Sequence, residues 1–309
     1  MSGILDSVNQ RTQLVGQNRL ELLLFRLNGR QRFGINVFKV REVLQCPPLT
    51  SMPKLNPLVR GIAHIRGQTI SVIDLSMATK GRKIEDLSSA FIVIAEYNRS
   101  VQGFLVGAVE RIINTNWDAI MPPPQGTGRA SYLTAVTEVE NELIEILDVE
   151  KILNEISPLN AEVSSEVAES LTTEGQENKI IFIADDSTVA RNQVKKALTS
   201  LGLEIELAKN GLEALKRLKE IAEEYGDITK RVGVLVSDIE MPEMDGYTLT
   251  AEIKNTPELQ KLHVVLHTSL SGVFNQAMVQ KVGADDFIAK FHPDELATAV
   301  QKWLMTECE

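Results

Sequence analysis

Val232-Gly-Val-Leu-Val-Ser237, followed by Asp238-Ile-Glu-Met-Pro-Glu-Met-Asp-Gly246, is the stretch that decides how the second half of the chain folds. A short apolar run rich in β-branched residues, ended by Pro and Gly, reads as a buried parallel strand. Asp238 then sits at the strand's carboxyl end, the edge where ligands bind in open α/β sheets. Pro242 and Gly246 turn the loop sharply behind it.

Outward from that strand, elements alternate. Strands are expected at Lys179–Ala184, Leu203–Ala208, His263–Thr268 and Asp286–Lys290. Helices are expected at Val189–Leu201 (stopped by Gly202), Gly211–Tyr225 (after a possible Asn210 N-cap), Gly246–Asn255, Val273–Val282 and Pro293–Met305. This alternation predicts an α/β, doubly wound, five-stranded parallel sheet. Its carboxyl edge would collect Asp185, Asp186, Asp238, Thr268 and Lys290. Clustered carboxylates repel unless a cation joins them, and a hard cation with oxygen ligands suits Mg²⁺. Such a cluster can make Asp238 a phosphoryl acceptor, with Lys290 offsetting charge on the transferring group. Spacing alone leaves open five polar loop residues with no shared role. His263 and His267 lie on a strand and read as structural.

The first 158 residues have a different texture. Many short strands separated by Gly and Pro turns argue for one or two small barrels, with a weak helix over 4–17 before them. Strands are expected at Leu20–Leu27, Val59–Arg66, Thr69–Leu75, Ala90–Tyr97, Gln102–Val109, Ile112–Trp117, Tyr132–Val139 and Glu142–Leu147. Asn28-Gly29 and Gly67-Gln68 are hairpin candidates, Phe38–Leu44 suggests one or two helical turns, and Asp148–Ile156 reads as a closing helix. No catalytic set is visible: His64 stands alone, and Gly126-Thr-Gly128 is too short for a phosphate loop. Residues 159–178 hold five Glu between 161 and 178 with no Lys or Arg, and read as an acidic linker. A packed helix using Val163, Val167 and Leu171 is the alternative. The expected division is thus 1–158, 159–178 and 179–309.

Size and charge narrow the function. A chain of 309 residues with 43% hydrophobic and 24% charged residues fits two globular domains. A net charge of −10, with no basic cluster, argues against nucleic acid as a partner. There is no apolar run long enough for a membrane span and no signal-peptide pattern at the N-terminus, so a cytoplasmic protein is expected. Two cysteines, Cys46 and Cys308, make no disulfide framework. No DNA-binding segment follows residue 309 and no ATP-binding glycine box is present, which speaks against a transcription factor or a kinase.

Two resemblances sharpen this. Val59-Arg60-Gly61-Ile-Ala-His-Ile-Arg66-Gly67-Gln-Thr-Ile-Ser71-Val-Ile-Asp74-Leu75, with Phe33–Val43 upstream, resembles the signature of CheW-type chemotaxis adaptors over about residues 19–157. Ser71 stands where the family usually has Pro. The resemblance implies two intertwined SH3-like five-stranded barrels that bridge chemoreceptor tips to the histidine kinase CheA. It places Arg66 and Glu42, flanked by Val40, at partner contacts. Residues 179–306 resemble response-regulator receiver domains. That implies a flavodoxin-like fold with Mg²⁺ held by Asp185, Asp186, Asp238 and the Glu240 backbone carbonyl. It implies phosphorylation of Asp238, phosphoryl contacts from Thr268 and Lys290, and a switch aromatic at Phe287. Two departures stand out: Phe291-His292 separates Lys290 from Pro293, and about eight extra residues fall near Ala222–Arg231. The combination implies a phosphorylation-regulated coupling protein, recruited to membrane-associated receptor arrays, that makes no turnover chemistry beyond its own phosphoryl transfer and loss. A phosphate sink for the kinase and a constitutive scaffold with a docking-only receiver remain open.

Overall fold

The computed structural model describes residues 19–97, 100–116, 119–121, 132–157, 161–170, 176, 178–268, 281–290 and 292–306. These residues form two units, Arg19–Leu159 and a second beginning at Asn160. The helix expected over 4–17, the Gly126–Gly128 turn and most of the Val273–Val282 helix lie outside the described residues.

The first unit has two five-stranded sheets. One contains β1 (Arg19–Arg26), β2 (Arg32–Asn36), β8 (Ala108–Asn116), β9 (Leu133–Val139) and β10 (Glu142–Leu147), ordered β8-β1-β2-β10-β9. The other contains β3 (Val40–Gln45), β4 (Val59–Ile65), β5 (Gln68–Asp74), β6 (Phe91–Tyr97) and β7 (Ser100–Val106), ordered β3-β6-β7-β5-β4. Leu22, Leu24 and Ile144 fill the first sheet's own core, and Val72, Ile92 and Leu105 fill the second's. A shared core joins Phe25 and Ile35 to Ile73 and Phe104, with Ile152 of the helix Val149–Ile156 packed into it. This is the all-β double-barrel layout the sequence led us to expect.

Several local expectations needed correction. The chain crosses from one sheet to the other at Gly107, whose N–H donates to the Arg26 carbonyl (2.8 Å). A Cβ there would lie 2.1 Å from the Leu27 carbonyl oxygen. The strands therefore divide at Gly107, not near Arg111. The β4–β5 hairpin turns on Arg66-Gly67 rather than Gly67-Gln68. Ile65 pairs with Gln68, and both turn residues are left-handed (φ 49° and 80°), the twist that favours a two-residue hairpin loop. Asn28-Gly29 is not a two-residue turn, since Arg26 pairs with Arg32. Asn28 instead donates to Ser76 Oγ (3.2 Å) and to the Arg82 carbonyl, stitching the β1–β2 loop to the helix and loop that follow β5. Phe38–Leu44 is not a helix: after a single 3₁₀ turn at Val37–Lys39, β3 pairs with β6, Val43 opposite Val93. Long-range pairing of β-branched residues overrides the weak helical pattern.

The signature residues Arg60, Gly61 and Asp74 are structural. Asp74 is fully buried, and its carboxylate accepts from Ser76 N, Met77 N and Ile84 N and pairs with Arg60 (2.8 Å). Arg60 also donates to the Ile84 carbonyl (2.7 Å). Gly61 (φ 150°) presses against the Thr50 carbonyl, 2.8 Å from where a Cβ would sit.

The second unit is a parallel sheet of β11 (Ile180–Ala184), β12 (Glu204–Ala208), β13 (Val232–Ser237), β14 (Val264–Thr268) and β15 (Asp286–Ala289), ordered β12-β11-β13-β14-β15. Every residue of β11 and β13 is buried, as continuous apolar runs covered on both faces require. Helices Thr188–Leu198 and Pro293–Thr306 cover one face; Gly211–Tyr225 and Gly246–Asn255 cover the other. The order reverses between β11 and β13, which opens a crevice at their carboxyl ends. The stretch read as an insertion, Ala222–Arg231, ends the third of these helices at Gly226 (φ 73°) and buries Ile228 completely. Part of the acidic stretch read as a linker packs on this unit: Ala161 is buried beside the helix pair Thr188–Leu198 and Pro293–Thr306, and Val163 packs there too.

Replacing Arg60 with Leu leaves the Asp74 carboxylate buried without its cation. Urea unfolding of the full chain will show the first unit's transition weakened by about 3–5 kcal/mol. An unchanged midpoint would contradict a structural role for the pair.

Candidate functional site

Asp185 follows β11 and Asp238 follows β13, so the crevice at the sheet's switch point receives both carboxylates. Asp185 (2% exposed) and Asp238 (8%) are buried, and Asp186 is half-buried. One oxygen from each of the three lies within 4.8 Å of the others. Lys290, just past β15 and 4% exposed, places Nζ 2.7 Å from Asp185 Oδ2 and 3.0 Å from Asp238 Oδ2. Three carboxylates facing one ammonium leave the cluster anionic, with hard oxygen donors gathered at one point. That is the donor chemistry a small divalent cation takes.

The backbone fixes each member. Asp238 N donates to the Ala184 carbonyl (2.7 Å), tying the two strand ends together, and Asp238 Oδ1 accepts from Ile239 N (2.8 Å). Asp185 Oδ1 accepts from Ser187 N (2.9 Å), and Ser187 caps the next helix. Behind Asp238 the chain doubles back, Gly246 N donating to the Ile239 carbonyl (2.8 Å). A Cβ on Gly246 would lie 2.1 Å from the Asp238 carbonyl oxygen, so no other residue fits without moving Asp238. Asp245 caps the following helix through Thr248 N (2.7 Å).

Sequence reasoning missed a clamp on this loop. Glu243 is left-handed (φ 65°), a conformation costly for a residue with a Cβ. Buried Asn210 donates to Glu243 Oε1 (3.0 Å) while its own Oδ1 caps the helix Gly211–Tyr225 through Glu213 N (2.7 Å). Gly211 N donates to the Met244 carbonyl (3.2 Å), with room for no Cβ (2.4 Å). The loop apex is thus bolted to the neighbouring βα unit. The cap was legible in Asn210-Gly211; the second bond was not. Arg191, also missed, donates to the Asp185 carbonyl and to Thr188 Oγ1 (3.1 Å).

Of the remaining expected site residues, Thr268 ends β14 and its side chain lies outside the described residues. Phe287 packs with Tyr247 against Ile239, the residue after Asp238, and Leu266. Burial, then the charges of Asp245 and Glu240, push the Tyr247 hydroxyl pKa up. His267 lies fully buried in β14, and His263, just before the strand, stacks on Trp303 (ring centroids 4.4 Å apart). Burial first, then the Lys290 charge, hold the His267 pKa well below its ordinary value. In the first unit, Arg66 and Glu42 meet each other: Arg66 Nε and Nη2 form two 2.8 Å bonds to the Glu42 carboxylate. The Arg66 hydrogen bond is the main reason the Glu42 pKa is lowered. Val40 is half-buried against the shared core.

Two outcomes follow. Asn210→Asp keeps the helix cap but sets a carboxylate against Glu243; calorimetric titration will show Mg²⁺ affinity lowered several-fold, with an unchanged affinity contradicting the clamp. His267, neutral in the fold, binds a proton on unfolding below about pH 6.5. Its contribution is therefore complete above that value and is lost as pH falls. Urea midpoints of the second unit will drop between pH 7 and pH 5, and His267→Gln will flatten that slope.

Comparison with known proteins agrees with this layout. Residues 21–157 match the CheW-like domain and residues 181–301 the response regulator receiver domain. The chemotaxis protein CheV3 of Helicobacter pylori is 29% identical over 93% of this chain and 95% of its own length. CheV1 of the same organism is 28% identical over 98% and 99%. Among solved structures, the scaffolding protein TtCheW from Thermoanaerobacter tengcongensis is 25% identical, covering 45% of this chain and 95% of its own with a TM-score of 0.42. The chain thus carries a CheW-like domain followed by a response regulator receiver domain, and along nearly its whole length it is similar to CheV chemotaxis proteins.

Proposed function

We propose that this chain couples chemoreceptors to the histidine kinase CheA and that phosphorylation of Asp238 regulates the coupling, contributing to adaptation. The observation that carries this reading is the buried Asp185–Asp186–Asp238 cluster with Lys290 on the same chain as a CheW-like domain. Asp185 and Asp186, with the Glu240 backbone carbonyl, would hold Mg²⁺, which supplies charge neutralisation for a transferring phosphoryl group. An Asp238 carboxylate oxygen forms the new bond to phosphorus as the phosphorus–nitrogen bond of a CheA phosphohistidine breaks, its electron pair staying on the imidazole. Lys290, already 3.0 Å from Asp238, then faces the phosphoryl oxygens, together with Thr268.

The acyl phosphate adds roughly −1.5 to −2 charges, the usual value for a phosphoryl group near neutral pH. Lys290 and Thr268 turn toward it, and the packing of Phe287 against Ile239 and Leu266 responds. This alters coupling only through a difference in partner affinity between the two forms. A coupling term of about 1–3 kcal/mol is enough. At the adaptor, Arg66 and Glu42 form a preassembled, exposed pair, a fixed charged tip for a receptor or kinase surface with Val40 beside it. The protein acts at receptor arrays without inserting into the membrane.

Asp238→Ala is expected to change receptor-coupled CheA activity measured in reconstituted arrays. Unchanged activity would leave a scaffold with a docking-only receiver. Faster phosphoryl flux to a second regulator, with coupling intact, would identify a phosphate sink.

A further inference from the structure

The face of the second unit made by helices Thr188–Leu198 and Pro293–Thr306 carries an occupant, and it is this chain's own segment 161–164. Ala161 is 6% exposed, seated in the cluster that contains Val194, Leu198, Leu296 and Val300, and Val163 packs beside it. Glu162 pairs with Lys196 (3.0 Å) on the first helix. Ser164 N donates to Asp294 Oδ1 (2.7 Å) in the first turn of the second. The chain then leaves as a short helix, Ser165–Ser170, with no buried side chain.

Two features make this more than a seam. Among the described residues the docking uses the small buried Ala161, the partly buried Val163, the Ser164–Asp294 hydrogen bond and the exposed Glu162–Lys196 ion pair, beside an open cleft of about 590 Å³ between residues 162–165 and 292–295. Small apolar side chains and exposed polar contacts of this kind belong to segments that open locally, well below the cost of global unfolding. The hydrogen bond also falls on a sensitive place. Asp294 lies four residues after Lys290, whose ammonium bridges Asp185 and Asp238. His292 between them starts the last helix, its carbonyl accepting from Leu296 N (2.9 Å).

We propose that segment 161–164 is a latch, docked on these two helices while Asp238 is unmodified and released when Asp238 is phosphorylated. The inference rests on the phosphoacceptor reading above. When Lys290 gives up Asp185 for a phosphoryl oxygen, residues 290–294 shift, and Asp294 no longer meets Ser164. The segment freed is the one that joins the receiver to the adaptor. Coupling of this kind is reciprocal: undocking the latch favours the phosphorylated form.

Hydrogen–deuterium exchange on the full chain tests it, with Mg²⁺ and beryllofluoride as the phosphoryl mimic. Beryllofluoride is expected to protect residues 238–246 and to speed exchange at 163–168 several-fold. Asp294→Ala is expected to speed exchange at 163–168 without the mimic and to tighten beryllofluoride binding two- to tenfold. Protection at 238–246 with no change at 163–168 would overturn the latch and leave the acceptor standing. No response at 238–246 would overturn the acceptor reading and the latch with it.

Discussion

A single ammonium makes the second unit's site possible. Lys290 Nζ, almost fully buried, lies between Asp185 and Asp238 at 2.7 and 3.0 Å. Carboxylates brought from two strand ends into a dry crevice repel each other unless a cation lies between them. Lys290 supplies that charge from just past a third strand. Everything around it serves placement. Ala184 and Asp238 are joined by a backbone bond, Gly246 lets the loop fold back, and Asn210 and Gly211 hold the loop apex. Because three carboxylates face one lysine, there is still charge left for a divalent cation to meet.

The first unit is built on the same physics with an opposite purpose. Asp74 is also a buried carboxylate beside a cation, Arg60, but its hydrogen-bonding capacity is spent inward, on Ser76, Met77, Ile84 and Arg60 itself. A carboxylate so fully engaged holds a turn together and has nothing to offer a ligand. Arg66, from the same signature, sits at the tip of a left-handed turn with most of its side chain in solvent. Its two hydrogen bonds to Glu42 give the tip one shape.

Much of this was legible in the sequence, for identifiable reasons. Gly211–Tyr225 and Gly246–Asn255 were read with the boundaries the structure shows, because Asn210 and Asp245 cap them and the stop signals lie in the chain. The five parallel strands followed from apolar runs that only a doubly covered sheet explains. What was not legible depends on residues far apart. Phe38–Leu44 looked helical until β6 paired with β3, and Gly107 looked ordinary until Leu27 came within reach. The Asn210–Glu243 bond spans 33 positions and the Ser164–Asp294 bond spans 130, and no local pattern announces either. The acidic composition of 159–178 spoke for solvation, yet Ala161 and Val163 find an apolar seat.

The central claim is that Asp238 accepts a phosphoryl group. Incubating the full chain with phosphorylated CheA and Mg²⁺, trapping the acyl phosphate with borohydride, and mapping the reduced residue by mass spectrometry tests it directly. One modified position, Asp238, is expected, lost when Mg²⁺ is chelated. Modification elsewhere, or none while the same kinase phosphorylates another receiver, would contradict it.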